Sequence, residues 1–154
     1  LRAAQEALRR WMAAAALVRH DGAVIVGADA AAPAVQALIR WDPAGFAGRE
    51  LAERIELGFP PAVRMAALTG APDALRDLIE AARLPGDADV LGPVPAPPPR
   101  GRDSAGGAAE RMLVRVDRRQ GAALAAALHA AAAVRSARKA PDPVRIELDP
   151  LSPL

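Results

Sequence analysis

An α+β chain is predicted, on three observations. From residue 62 onward, segments of strand period and of helical period alternate in the order β-α-β-β-α-β. Residues 1–57 read instead as helices with one short apolar run that suits a buried strand. The two middle strands of the second region are separated by a proline-then-glycine stretch, residues 92–108, which can bury little and whose middle is expected to be mobile. The order after residue 62 fits a split βαβ sandwich, an antiparallel sheet with two helices on one face. Two domains are therefore expected, 1–57 and 58–154.

Each element has its own signal. Arg2 to Leu17 are mostly strong helix formers, with Leu8, Met12 and Ala15 at helical spacing. Asp21-Gly22 makes a turn, and Ala23 to Val26 is the apolar run expected to be a strand. Ala32-Pro33 opens a helix to Arg40 that carries Val35, Leu38 and Ile39 on one face. Asp42-Pro43 combines a capping residue with proline in the first helical position. That helix should run to Leu57 and stop at Gly58, because Gly58-Phe59-Pro60-Pro61 cannot continue it.

Val63, Met65 and Ala67 alternate with Arg64, Ala66 and Leu68, which predicts a strand. Asp73 to Ala82 should be a helix with Leu75, Leu78 and Ile79 buried, ended by Pro85-Gly86. Asp89 to Leu91 and Arg111 to Val116 are the next strands. Asp117 and Gln120 have capping-box spacing before a helix over Arg118 to Val134. Val144 to Leu148 alternates clearly and closes the series.

Composition excludes much chemistry. No cysteine is present, so disulfides, thiolate metal sites and cysteine nucleophiles are out. No phosphate-binding glycine loop and no His-Glu-x-x-His helix occurs. His20 and His129 lie in different halves, and Ser104, Ser136 and Ser152 have no nucleophile elbow. Glu50, Glu53 and Glu56 are interleaved with Arg49 and Arg54, as on a solvated salt-bridged face. No catalytic residue, metal site or cofactor site is expected. No apolar run is long enough to cross a bilayer, so a cytoplasmic location without membrane contact is expected.

The charge is uneven. Residues 1–99 carry ten Arg and twelve acids, whereas residues 100–154 carry nine Arg and Lys139 against six acids. Arg115, Arg118 and Arg119 cluster at a strand end and the next helix start; Arg135, Arg138 and Lys139 cluster at that helix's end. Cations at a helix C-terminus are favoured by the macrodipole, but cations in a first turn are not. An anionic partner is thus expected at Arg118 and Arg119, since a planar guanidinium offers two parallel donors to a carboxylate or phosphate. Arg100, Arg102, Arg115, Arg138 and Lys139 are further candidates for phosphate contacts.

Three strings then suggest a family. They are Glu50-Leu51-Ala52-Glu53-Arg54 running into Glu56-Leu57-Gly58-Phe59-Pro60-Pro61, Val90 to Pro97, and Asp149-Pro150-Leu151. In order and spacing they resemble the carboxy-terminal part of primosomal protein N′, the replication-restart helicase family, in its actinobacterial form. The resemblance implies that residues 1–57 finish a helicase-like second lobe and that the remainder is a DNA-binding carboxy-terminal domain. It implies branched or single-stranded DNA, the acidic tail of single-stranded-DNA-binding protein, and the remaining domains of a longer chain as partners, in a nucleoid-associated setting. The family's ATP and zinc would both be bound upstream, leaving this chain without a cofactor.

The departures carry implications too. Helicases of this family have a Q-x-x-G-R-x-G-R motif before the strand that matches Gly22 to Ile25, and Ala14 and Leu17 stand where its two arginines belong. Those arginines stabilise charge on the transferring phosphate, so weak or absent ATP hydrolysis by the parent is implied. Ala108 to Met112 replaces an aromatic run of the family. Arg119 aligns with the arginine that docks the acidic tail, while Ala123 replaces a helping glutamine. A domain that only packs against its parent and docks protein tails is the alternative reading.

Overall fold

A computed structural model describes residues 2–96 and 109–150. The chain divides into two compact units, Leu1–Leu57 and Gly58–Leu154.

The first unit holds three helices: α1 (Ala3–Ala15), α2 (Pro33–Arg40) and α3 (Pro43–Leu57). Their amphipathic stripes meet in a small core of Leu8, Ala34, Ala37, Leu38 and Phe46, with Trp11 and Met12 packed against it. Asp42 caps α3 as its position before Pro43 predicts, accepting a hydrogen bond from the Gly45 backbone N–H at 2.7 Å. A Cβ on residue 45 would lie 2.1 Å from the Asp42 carboxylate, so glycine there leaves the cap its place. Gly58, at φ +65°, takes the left-handed conformation just beyond the end of α3.

The run Ala23 to Val26 does not form the expected strand. It has no regular structure, and Ile25 is 95% exposed. A strand exists only when a neighbour pairs its backbone, and among the described residues nothing pairs with this run.

The second unit is the β-α-β-β-α-β sandwich. Strands β1 (Val63–Gly70), β2 (Asp89–Pro95), β3 (Glu110–Asp117) and β4 (Arg145–Leu148) form one sheet in the order β2-β3-β1-β4. Every pairing is antiparallel. Helices α4 (Pro72–Ala81) and α5 (Gly121–Ala137) lie on one face. The core joins Ala66 and Leu68 of β1, Val114 and Val116 of β3, Leu75 and Leu78 of α4, and Leu124, Leu128 and Ala131 of α5. Register explains the grouping: Ala66 stands opposite Val114, and residues two apart on a strand share a face. On the other face of β1, Met65 and Ala67 are also buried.

Two elements, β2 and the final helix, differ most in extent from the sequence reading. β2 continues through Gly92, Pro93, Val94 and Pro95 instead of stopping at Leu91, with a register shift between Leu91 and Val94. It is an edge strand, where a proline's missing N–H costs no ladder bond, and Gly92 accommodates the bulge at φ +102°. The final helix begins at Gly121, not Arg118, because Arg118–Gln120 forms a 3₁₀ turn, and it extends to Ala137. The middle of the stretch 92–108, expected to be mobile, falls outside the described residues, as do Arg100 and Arg102.

Candidate functional site

The junction between β3 and α5 is built by an aspartate. Asp117 ends β3, and its Oδ1 accepts a hydrogen bond from the Arg119 backbone N–H at 2.8 Å. Its own N–H donates to Asp87 Oδ2 at 3.3 Å. The chain is thereby turned through the short 3₁₀ segment, and the side chains of Arg118 and Arg119 project into solvent.

Arg64, at the start of β1, joins them. It shares the core-facing register of Ala66 and Leu68 but lies at the strand's end, so its side chain leaves the core along the edge of α5. Its aliphatic stem crosses Gly121. A Cβ on residue 121 would lie 2.7 Å from Arg64 Cγ, so glycine at the first position of α5 leaves the stem its place. The Arg64 guanidinium pairs with the Asp149 carboxylate. Asp149 in turn is tied to β1: its N–H donates to the Met65 carbonyl at 2.7 Å, and its Oδ1 accepts from the Met65 N–H at 3.3 Å.

Together these residues line an open groove of about 320 Å³, with Leu148, about half exposed, and Ala122 supplying apolar wall. Three arginines and one aspartate line it. The N-terminal end of the 17-residue α5 adds the positive pole of its dipole. Among the described residues, neither Arg118 nor Arg119 is held in an ion pair. Such a groove can hold an anion with both charge and an apolar portion.

The other candidates lie elsewhere. Arg115 is in β3 with its side chain on the sheet face away from the helices, and it is engaged. Nε and Nη2 approach Asp89 Oδ2 at 2.9 and 2.8 Å, and Nη1 reaches the Gly58 carbonyl at 3.4 Å. Arg138 and Lys139 are at the opposite end of α5, about 26 Å from Arg119 by helical rise. Arg138 lines a separate groove with Asp77 and Glu80. Arg135 is structural: it pairs with Asp77 at 3.0 Å and donates to the carbonyls of Pro141 and Asp142, fastening the loop before β4. The two arginine clusters are therefore separate points, not one continuous basic surface.

Arg64 and Asp149 were missed by sequence reasoning. The available signal was a charged residue in the core-facing register of an otherwise apolar strand. Ala14 lies in α1 and Leu17 just beyond it, both exposed. Among the described residues, no group of three acids or histidines is placed to hold a metal, and no helix is long and apolar enough to cross a membrane.

Comparison with known proteins gives a consistent answer. Residues 55–151 match the family described as primosomal protein N C-terminal domain. The chain is 50% identical over 157 residues to "Probable replication restart protein PriA" of Mycobacterium leprae (strain TN), covering 98% of this chain and 24% of that protein. It is also 50% identical over 164 residues to the protein of the same name from Mycobacterium tuberculosis (strain ATCC 25618 / H37Rv), covering 98% of this chain and 25% of that one. The chain thus spans about a quarter of the length of these relatives. By this match, the chain belongs to the primosomal protein N C-terminal domain family.

Proposed function

We propose that this chain is a non-catalytic module of a replication-restart protein, holding anionic partners at the start of α5. Those partners are the phosphates of branched or single-stranded DNA and the acidic tail of single-stranded-DNA-binding protein. The work would be done in the cytoplasm at the nucleoid. ATP and zinc chemistry belongs, on this reading, to upstream parts of the parent chain, and Ala14 and Leu17 leave the parent poorly equipped to hydrolyse ATP. The observation that carries the reading is the pair Arg118 and Arg119, exposed beside Arg64 in a groove where the helix dipole already attracts anions.

Phosphate contacts position a protein without reading sequence, so binding should prefer DNA structure over sequence and weaken with salt. Fluorescence anisotropy with labelled forked DNA tests this on the wild type and on an Arg118→Ala, Arg119→Ala double variant. Loss of two phosphate contacts should lower the slope of log K against log salt by about 1.8. An unchanged slope and affinity would contradict the reading.

A second role has its own support. Val24, Ile25, Ile55 and Leu57 are each exposed on the first unit, and apolar side chains left in water suit packing against the remaining domains of a longer chain. Under that reading alone, the double variant would bind forks as the wild type does.

A further inference from the structure

We propose that Asp149 is an internal competitor for the groove: it occupies Arg64 until a carboxylate of an acidic peptide tail takes its place. The inference rests on the anion-binding reading above and names the residue that regulates it. Among the described residues, two of the three guanidiniums in the groove are held in no ion pair, while the third is taken by this chain's own carboxylate. The way it is taken is informative. A guanidinium and the Met65 backbone N–H converge on the two Asp149 oxygens, a geometry that suits any carboxylate.

The occupant is reversible by construction. Arg64 and Asp149 are about half exposed, and an ion pair in contact with water adds little to stability. Asp149 sits just beyond β4 in the left-handed region at φ +47°. Its backbone N–H bond to Met65 fastens the main chain independently of the ion pair. The carboxylate can therefore release Arg64 while the strand stays in place. Gly121 keeps the Arg64 stem over the start of α5, so a freed guanidinium remains beside Arg118 and Arg119.

The walls favour a peptide over a nucleic acid backbone as the exchanging ligand. Leu148 and Ala122, both exposed in the groove, would cover an apolar side chain beside the carboxylates, and a phosphodiester has nothing to place there. Because the exchange is between carboxylates, removing the internal one should raise peptide affinity selectively.

The test uses the whole chain, a fluorescein-labelled Asp-rich decapeptide with a free C-terminal carboxylate, and forked DNA as the comparison. If Arg64 is free in about one molecule in ten, Asp149→Asn should tighten the peptide about tenfold. The gain should vanish when Arg64→Gln is added, since the two residues then no longer couple. The Arg64 Nε–H resonance of the wild type should also shift as peptide is added, a readout that does not depend on the variant folding. Wild-type binding that needs Arg118 and Arg119 but is unchanged by Asp149→Asn overturns this inference alone. Peptide binding by neither protein overturns it together with the tail-binding part of the proposed function. Equal tightening of peptide and forked DNA would reduce Asp149 to general electrostatic damping and overturn the exchange.

Discussion

Asp42 and Asp117 cap the starts of two segments with the same oxygen chemistry and different reach. Asp42 bonds three residues on, to Gly45, and starts a 15-residue helix; Asp117 bonds two residues on, to Arg119, and starts a 3₁₀ turn. Replacing Asp42 by Ala should cost about 1 kcal/mol in the stability of the first unit, measurable by urea titration. The acidic residue Glu6 behaves differently. Hydrogen bonds from Arg9, then Arg10, hold its carboxyl at about 2, below the ordinary 4.5. Its contribution to α1 is therefore complete above pH 4.5 and lost as pH falls through about 2. A carbon-detected NMR titration should place its midpoint near 2 in the wild type and back toward 4.5 in an Arg9→Ala, Arg10→Ala variant. The site's own residues were unevenly legible. Arg118 and Arg119 stood out because cations in a first turn oppose the helix dipole. Arg64 and Asp149 are 85 positions apart, and only the closing of β4 against β1 makes them neighbours.

Local rules decided some elements and failed at others for identifiable reasons. α2 was legible because proline opens it and Val35 and Leu38 share a buried face, although Ile39, read onto the same face, is 69% exposed. The run Ala23 to Val26 was misread because an apolar tetrapeptide specifies affinity for a neighbour and cannot supply one. The end of β2 was misread because the run of prolines outweighed its position, and an edge position is visible only once strand order is known. β1 also resisted reading by face, since Met65 and Ala67 are buried as well as Ala66 and Leu68. Leu75 and Leu128 fasten the two helices to the sheet, and both are 1% exposed. Either one changed to Ala should cost about 2–5 kcal/mol, seen as a lowered urea midpoint with the slope unchanged. Leu91→Ala, at the exposed edge, should cost well under that.

At the scale of the whole chain, two hydrophobic clusters serve two units. Residues 58–154 expressed alone should accordingly keep the sheet, and slow amide exchange in β1 and β3 would show it. Charge follows the same division in part: the acidic excess lies before residue 99 and the basic excess after it. Net charge is only +2, so any attraction for DNA has to come from local placement of arginines, and the groove at the start of α5 is where three of them meet. The central claim is most directly tested by the anisotropy of labelled forked DNA at about 50 and 200 mM salt, wild type against the Arg118→Ala, Arg119→Ala variant. Two phosphate contacts predict a wild-type affinity that falls about tenfold across that range, and a variant that is weaker and nearly insensitive to salt. Wild type and variant binding equally, with the same salt dependence, would contradict it.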